Sequence, residues 1–288
     1  MVIMDEQMTG KLNQLSRLLP EGWVAPARWL NAHGYSRSQL AQYKDKGRWL
    51  ESPAHGAYVR PGVKPKWQHI VVSLQRLEEL PLHVGGRTAL VHRGLTHYLR
   101  LGEPETIHLY GPSGLPGWAR KLPLPEKLVT HPDAMFGSLP RVWRDEAGRF
   151  VDDNQHVLPS GALEQSCLSE FTLAGWDWSL TYSTEERAIL EVLQDVPQRE
   201  SVYEADVLIA SLVNLRPARL QHLLSHCFSI KVKRLFLALA ERHHHAWFAH
   251  LDVQKFDLGT GKRMLVPRGR LHPRYLITLP ADLDDHAR

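Results

Sequence analysis

Apolar residues at helical spacing mark the start of the chain. Leu12, Leu15, Leu18 and Leu19 recur at intervals of three and four and predict a helix closed by Pro20-Glu21-Gly22. From Pro26 to Gly62 the pattern breaks into shorter pieces. Ala27 to His33 predicts a second helix, with Pro26 tolerated at its start and Gly34 supplying a left-handed cap. Ser36 is placed to cap a third helix, Arg37 to Lys46, which stops at Gly47. Trp49-Leu50 and Ala57 to Arg60 then predict two strands around a turn at Pro53-Ala54-His55-Gly56. Helix, tight turn, helix and hairpin in this order is the plan of a winged helix-turn-helix.

The third helix has two unlike faces. Leu40 and Tyr43 share one side, while Ser38, Ala41, Gln42 and Asp45 lie roughly opposite and Arg37 and Lys46 flank them. A narrow apolar stripe behind a polar face with basic edges suits a helix lying in a major groove. Gln reads adenine there, and Arg or Lys reads guanine or holds phosphate. The candidate DNA-binding residues are therefore Arg37, Ser38, Gln42 and Lys46, with Arg60, Lys64 and Lys66 where a wing would meet the backbone. Asp45 fits only if Lys44 or Lys46 pairs with it, or if it reads a cytosine. The plainer alternative is a small helical domain whose polar face is merely solvated.

Beyond the wing, Trp67 to Leu80 predicts an amphipathic helix burying Ile70, Val71, Leu74, Leu77 and Leu80. Gly85-Gly86 predicts a turn before a short helix over Arg87 to Arg93. Thr106 to Tyr110 reads as a strand, followed by a proline-punctuated stretch with short strands at Leu128 to Thr130 and Arg141 to Arg144. Ser183-Thr184-Glu185-Glu186 predicts a capping box before an apolar run, and helices are expected at Val202–Leu212, Pro217–Ser225 and Ile230–His243. Gly259-Thr260-Gly261 is expected to turn between strands at Val253–Asp257 and Arg263–Val266, with a last strand at Tyr275–Leu279 and a frayed acidic tail after Pro280. The fold class expected is α+β: residues 1–95 a winged-helix domain, residues 96–288 a mixed α/β domain.

Composition, 43% hydrophobic and 23% charged, is that of an ordinary globular chain, and 288 residues suffice for two cores. Charge placement adds more. Residues 1–100 carry 14 Lys and Arg against 7 Asp and Glu, whereas the remainder carries 21 against 24, so a polyanion partner is indicated for the first part alone. Cys167 and Cys227 cannot form a disulfide framework and lack zinc spacing. Neither a signal peptide nor a membrane span is evident, which makes the expected location cytoplasmic.

Candidate chemistry is sparse. Gly259-Thr260-Gly261-Lys262-Arg263 ends like a phosphate-binding loop, but Phe256 stands where the first glycine is needed and Arg263 where a hydroxyl is needed. His243-His244-His245 fans around a helix end rather than placing ligands at i and i+4, because Trp247 occupies the fourth position, so a solvated helix end is expected. Gly111-Pro112-Ser113-Gly114 is no nucleophile elbow. The adjacent pairs Glu78-Glu79 and Glu185-Glu186 diverge around a helix. No catalytic residue, metal or cofactor is expected. A basic run, Lys255 to Arg274, holds six cations against Asp257. With Lys231, Lys233 and Arg234 it is a candidate surface for nucleic acid or an acidic partner, Arg268 and Arg270 foremost.

Several stretches together resemble the AbiEi family, antitoxins of abortive-infection type IV toxin–antitoxin systems. They are Gly34, Leu40 and Gly47, then Gly56-Ala57-Tyr58 and Gly85-Gly86-Arg87-Thr88-Ala89-Leu90 in the first half. In the second half they are Ser183 to Glu191, Asp257 to Arg263 and Tyr275 to Pro280. The resemblance spans about Lys11 to Pro280 and carries little between Pro112 and Ser179. It implies a repressor that binds inverted repeats in its own promoter through Arg37, Ser38, Gln42, Lys46 and a wing bearing Arg60. It also implies a C-terminal domain that counteracts a nucleotidyltransferase-like toxin without a stable complex. Two rivals remain at this stage: a DNA-targeting metal-dependent nuclease, and a ligand-sensing winged-helix transcription factor without a toxin.

Overall fold

The computed structural model describes residues 2–45, 49–95, 104–283 and 285. The chain begins with α1 (Val2–Leu18), β1 (Ala25–Pro26), α2 (Ala27–Ala32), α3 (Arg37–Asp45), β2 (Glu51–Ala54) and β3 (Ala57–Val59). The three strands form a sheet in the order β1-β3-β2, which completes a winged helix-turn-helix. Its core is Leu15, Leu19, Leu30, Tyr35, Leu40 and Tyr43, with Trp29 and Leu50. A buried side chain of this size contributes about 1.5–3 kcal/mol, so Leu40 and Tyr43 fix the rotation of α3 about its axis. Gly34 takes φ +84, the left-handed turn that separates α2 from α3. Ser36 Oγ accepts from the Gln39 N–H (3.3 Å) while Gln39 Oε1 accepts from the Ser36 N–H (3.0 Å). That reciprocal cap starts α3.

The wing departs from expectation in register. Strand pairing begins at Glu51 and the turn is His55-Gly56, since Ala54 faces Ala57 and Gly56 has φ +77. Pairing slips between Glu51 and Ala54, where Pro53 has no N–H to offer an edge strand.

The chain continues through α4 (Trp67–Arg76), β4 (His83–Val84), α5 (Gly86–His92), β5 (Thr106–Tyr110), α6 (Gly117–Arg120), β6 (Lys127–His131), β7 (Trp143–Arg144), β8 (Phe150–Val151) and α7 (Ala162–Gln165). It then forms β9 (Leu168–Thr172), β10 (Ser179–Ser183), α8 (Glu185–Asp195), α9 (Val202–Ser211), α10 (Pro217–His226), α11 (Ile230–Arg242), β11 (Arg270–Leu271) and β12 (Thr278–Leu279). A five-stranded mixed sheet, β6-β5-β4-β10-β9, organises this part. Helices α5 and α8 cover it together, and α9, α10 and α11 pack on α8. Helix α4 contacts β10 and β7 and is buried around its whole circumference, not along one stripe. Two of its buried polar residues are bonded internally: Ser73 Oγ accepts from Val24 N at 2.8 Å, and Gln75 bridges Leu82 O (3.0 Å) and Thr181 N (3.1 Å). The helix stops at Arg76, short of the expected Leu80, and Leu77 and Leu80 are half-buried.

Packing and pairing cross residue 95. Strand β4 and helix α5 belong to the five-stranded sheet and its cover, and Trp67 and Ile70 lie in the core that also holds α8 and α11. Val24, Ala57 and Val59 of the winged helix share the core of this body, and α2 adds polar contacts: Trp29 Nε1 donates to Glu146 Oε1 (3.0 Å), and His33 Nε2 lies 2.7 Å from the same oxygen. Arg28 pairs with Glu78, whose side chain is 1% exposed.

Three local expectations are corrected. Ser183 is the last residue of β10, paired with Leu168, and Thr184 precedes α8 without a side-chain cap, so the capping box does not form there. A capping box does start α9, from Ser201 and Glu204. Around Gly259-Thr260-Gly261 there is a 3-10 helix, Val253–Lys255, and a lone bridge from Arg263 to Ile277 in place of a hairpin. The loop is instead wrapped around Arg234, which donates to Leu258 O (2.6 Å), Gly261 O (2.7 Å), Gly259 O (3.1 Å) and Leu276 O (3.1 Å). Of the tail expected to fray, Asp282 and Leu283 are bonded to Tyr203 and Arg242, and residues 284 and 286–288 lie outside the described residues.

Candidate nucleic-acid interface and a buried polar hub

Helix α3 turns Leu40 and Tyr43 inward, each 1% exposed, and leaves Arg37, Ser38, Ala41, Gln42 and Asp45 exposed. Asp45 is paired with Lys44 at 3.5 Å, which offsets its charge on this exposed face. Tyr43 stacks edge-on against Tyr35 and Trp49, with ring centroids 6.4 and 5.6 Å apart, bracing the helix from behind. Burial pushes the Tyr35 and Tyr43 hydroxyl pKa values above their usual 10.0, so both stay neutral. The end of α3 borders the wing: Lys44, Leu50, Glu51, Ser52 and Pro61 line one shallow cavity. Lys64 and Lys66 are exposed just beyond. Arg60 reaches the other way, donating to Ser16 O (3.4 Å) and pairing with Glu21 (3.3 Å). Lys46 and Gly47 lie outside the described residues.

The second body contains a polar hub that no sequence motif disclosed. Glu191, 1% exposed on α8, has Oε1 at 2.9 Å from His83 Nε2 and 2.9 Å from Arg187 Nε. Its Oε2 accepts from the Gly86 N–H (2.9 Å) and the Ser183 hydroxyl (2.7 Å). Burial alone would raise its carboxyl pKa, but the hydrogen bond from His83, the Arg187 charge and the Gly86 N–H hold it below the usual carboxylate range. Burial, then Arg187, lowers the His83 pKa, so the ring holds Glu191 as a neutral N–H donor. Gly85 is required here, because a Cβ would lie 2.3 Å from Glu191 Oε2 and 2.6 Å from the Tyr110 ring. One turn further along α8, Asp195 meets His131, which stacks on Tyr110 at 4.6 Å and contacts His108. His108, His131 and Asp195 are the described residues grouped closely enough to hold a metal ion.

Two family models span nearly the whole chain. The AbiEi antitoxin N-terminal domain, of transcriptional regulators, matches residues 8–101. The transcriptional regulator AbiEi antitoxin of type IV toxin–antitoxin systems matches residues 104–280. The chain belongs to the AbiEi antitoxin family. Among solved structures, the crystal structure of the RV2827C protein from Mycobacterium tuberculosis is similar in fold, with a TM-score of 0.50 and 18% identity over 94% of this chain and 88% of that one. No curated protein matches in sequence.

On this AbiEi chain the expected C-terminal cationic surface divides in two. Lys233 and Arg234 are buried, 4% and 3% exposed, and Lys231 donates to Gln194 O (2.6 Å) and Val196 O (2.7 Å). Lys233 and Arg234 are therefore withdrawn from any partner, because α11 packs on α8 and α9 and is wrapped by the 258–261 loop, while Lys231 is half-buried with its amine held by those two carbonyls. Arg268 and Arg270 are exposed. Arg270 stands at a cleft of 360 Å³ with Arg242, His244 and His272. The histidine run is no solvated end: His243 Nε2 is 2.7 Å from Asp206 and His245 Nε2 is 2.7 Å from Ile209 O, tying α11 to α9. The thiols of Cys167 and Cys227 are buried and pushed up to about 11, so neither is an activated nucleophile. No helix among the described residues is long and apolar enough to cross a membrane.

Proposed function

We propose that this AbiEi regulator represses its own promoter by seating α3 in successive major grooves of inverted repeats. The supporting observation is an asymmetry. Helix α2 is pinned to the second body through Trp29, His33 and Glu146, while Arg37, Ser38 and Gln42 on α3 face solvent. In this reading Arg37 and Gln42 contact base edges and Ser38 a phosphate or base. Lys46, Lys64 and Lys66 hold the backbone, and Arg60 joins them by exchanging its exposed Glu21 partner for a phosphate. The second body, acting in the cytoplasm without catalysis of its own, counteracts a nucleotidyltransferase-like toxin without a lasting complex, with Arg268 and Arg270 as its contact residues.

A mobility shift on the DNA upstream of the gene tests the reading. Gln42→Ala and Arg37→Ala should each weaken operator binding by about 5- to 150-fold, the equivalent of 1–3 kcal/mol, while leaving binding to random duplex unchanged. Wild-type protein that binds its upstream DNA no better than random duplex refutes the repressor reading. Co-expression with the neighbouring toxin tests the second half: Arg268→Glu/Arg270→Glu should restore toxicity.

A further inference from the structure

We propose that His108, His131 and Asp195 form a binding site for one divalent transition-metal ion of the zinc type. Strands β5 and β6 are parallel, with His108 opposite Val129 and Tyr110 opposite His131. Both histidines therefore project from the same face of the sheet, the face on which the C-terminal end of α8 presents Asp195. His108 Nδ1 lies 2.9 Å from His131 Nε2, and His131 Nδ1 lies 3.2 Å from Asp195 Oδ2. One donor atom from each residue falls within 4.8 Å of the others. Zinc binds nitrogen and carboxylate oxygen at about 2.0–2.2 Å, which sets tetrahedral donors roughly 3.3 Å apart. His131 now turns Nε2 to His108 and Nδ1 to Asp195, and one ion takes a single one of these nitrogens, so side-chain rotations must bring the three donors from separations of up to 4.8 Å to that spacing.

The donor set selects the metal. Two imidazoles and one carboxylate suit zinc, cobalt or nickel, whereas calcium and magnesium require oxygen ligands throughout. Two strands and a helix hold the ligands rigidly, with His131 only 4% exposed. His108 is half-buried, which leaves one side open for a water or a ligand in the fourth position.

A cation now serves the same carboxylate. Arg199 Nη1 sits 3.4 Å from Asp195 Oδ1 and 3.3 Å from His131 Nδ1, and its side chain is 62% exposed. An arriving ion displaces this long side chain into water at little cost. Of the other cations nearby, Arg87 is engaged by Glu200 and Glu204, and Lys231 by the carbonyls of Gln194 and Val196. Occupancy thus locks β5, β6 and α8 together and frees one surface arginine.

Equilibrium dialysis of the full, untagged chain against micromolar zinc chloride, with metal analysis, reads the site directly. One ion per chain is expected, with a melting temperature that rises with zinc concentration. His108→Gln and Asp195→Asn should abolish stoichiometric binding, Arg199→Gln should bind at least as tightly, and His244→Gln, altering the exposed member of the histidine run, should bind as wild type does. Substoichiometric metal in the wild type, or full retention in His108→Gln, overturns the site. Cobalt(II) titration of the wild type is a second readout that needs no variant. Visible bands saturating at one equivalent are expected, and a featureless titration overturns the site equally.

Discussion

Replacing Glu191 by alanine removes the acceptor of four donors at once and isolates a charge. Arg187, 4% exposed, would keep Ser166 O at 2.7 Å and the Phe136 ring at 4.9 Å, neither of which neutralises it. Breaking a buried pair from one side costs about 3–5 kcal/mol, and each orphaned donor adds about 1–3 kcal/mol, although the terms do not sum. A loss of about 5 kcal/mol is a large share of the roughly 5–15 kcal/mol that stabilises a domain. At about 2–4 °C per kcal/mol it lowers the melting temperature by roughly 10–20 °C. Urea and thermal melts followed by circular dichroism measure this. Glu191→Gln, which keeps the shape and one acceptor, should lose less. Arg187→Leu/Glu191→Leu should be milder than the sum of its single variants, since neither charge is left alone. Loss below about 1 kcal/mol in Glu191→Ala, or strict additivity in the pair, refutes the account of the hub.

The two turn glycines separate sterics from backbone conformation. Gly85→Ala meets Glu191 at 2.3 Å and should destabilise far more than Gly34→Ala, which has nothing within 4 Å and loses only about 1–2 kcal/mol to its left-handed φ. The pKa of His69 is shifted the opposite way from that of a histidine paired with a carboxylate. Burial and then Lys66 lower its pKa from 6.5 to about 4, and its Nδ1 must keep a lone pair to accept the Lys66 N–H (2.9 Å). The unfolded chain therefore takes up this proton first, so the contribution is complete above pH 6.5 and lost as pH falls towards 4. Denaturant midpoints across that window should fall less steeply in His69→Gln. Lys64→Ala and Lys66→Ala should weaken all duplexes alike and reduce the salt slope of binding by about 0.9 per phosphate lost, measured from 50 to 200 mM salt. A thiol reagent should label Cys167 and Cys227 only on unfolding.

How much was legible depends on how local the cause is. The α3 faces follow from 3.6-residue periodicity, and Leu40 and Tyr43 are indeed the buried pair. Strand β5 was readable because Ile107 and Leu109 alternate with polar neighbours. The wing register was not, since a proline in an edge strand slips the pairing by an amount that no propensity encodes. Lys231 and Arg234 look like surface cations because sequence shows charge without showing the carbonyls that collect it, and Lys233 does because sequence does not show its burial. His108 and His131 lie 23 positions apart and become neighbours only through a parallel pairing, which leaves no spacing signature.

The stretches that carried the family resemblance converge in space, and this changes what they can be taken to encode. Gly85 and Gly86 from one stretch close around Glu191 from another, and Ser183 and Arg187 of that second stretch complete the same carboxylate's partners. Glu186, buried beside them, accepts from the Arg216 N–H (2.8 Å) and from Arg219 (3.0 Å). A third stretch, Asp257 to Arg263, supplies carbonyls to Arg234. These motifs therefore hold buried charges in the second body. Toxin counteraction needs groups a partner can reach, and on this half of the chain Arg268 and Arg270 meet that condition while the motif residues of the hub do not. Surface substitutions at 268 and 270 should then separate antitoxin activity from stability, whereas substitutions at Glu191 or Gly85 should impair both together.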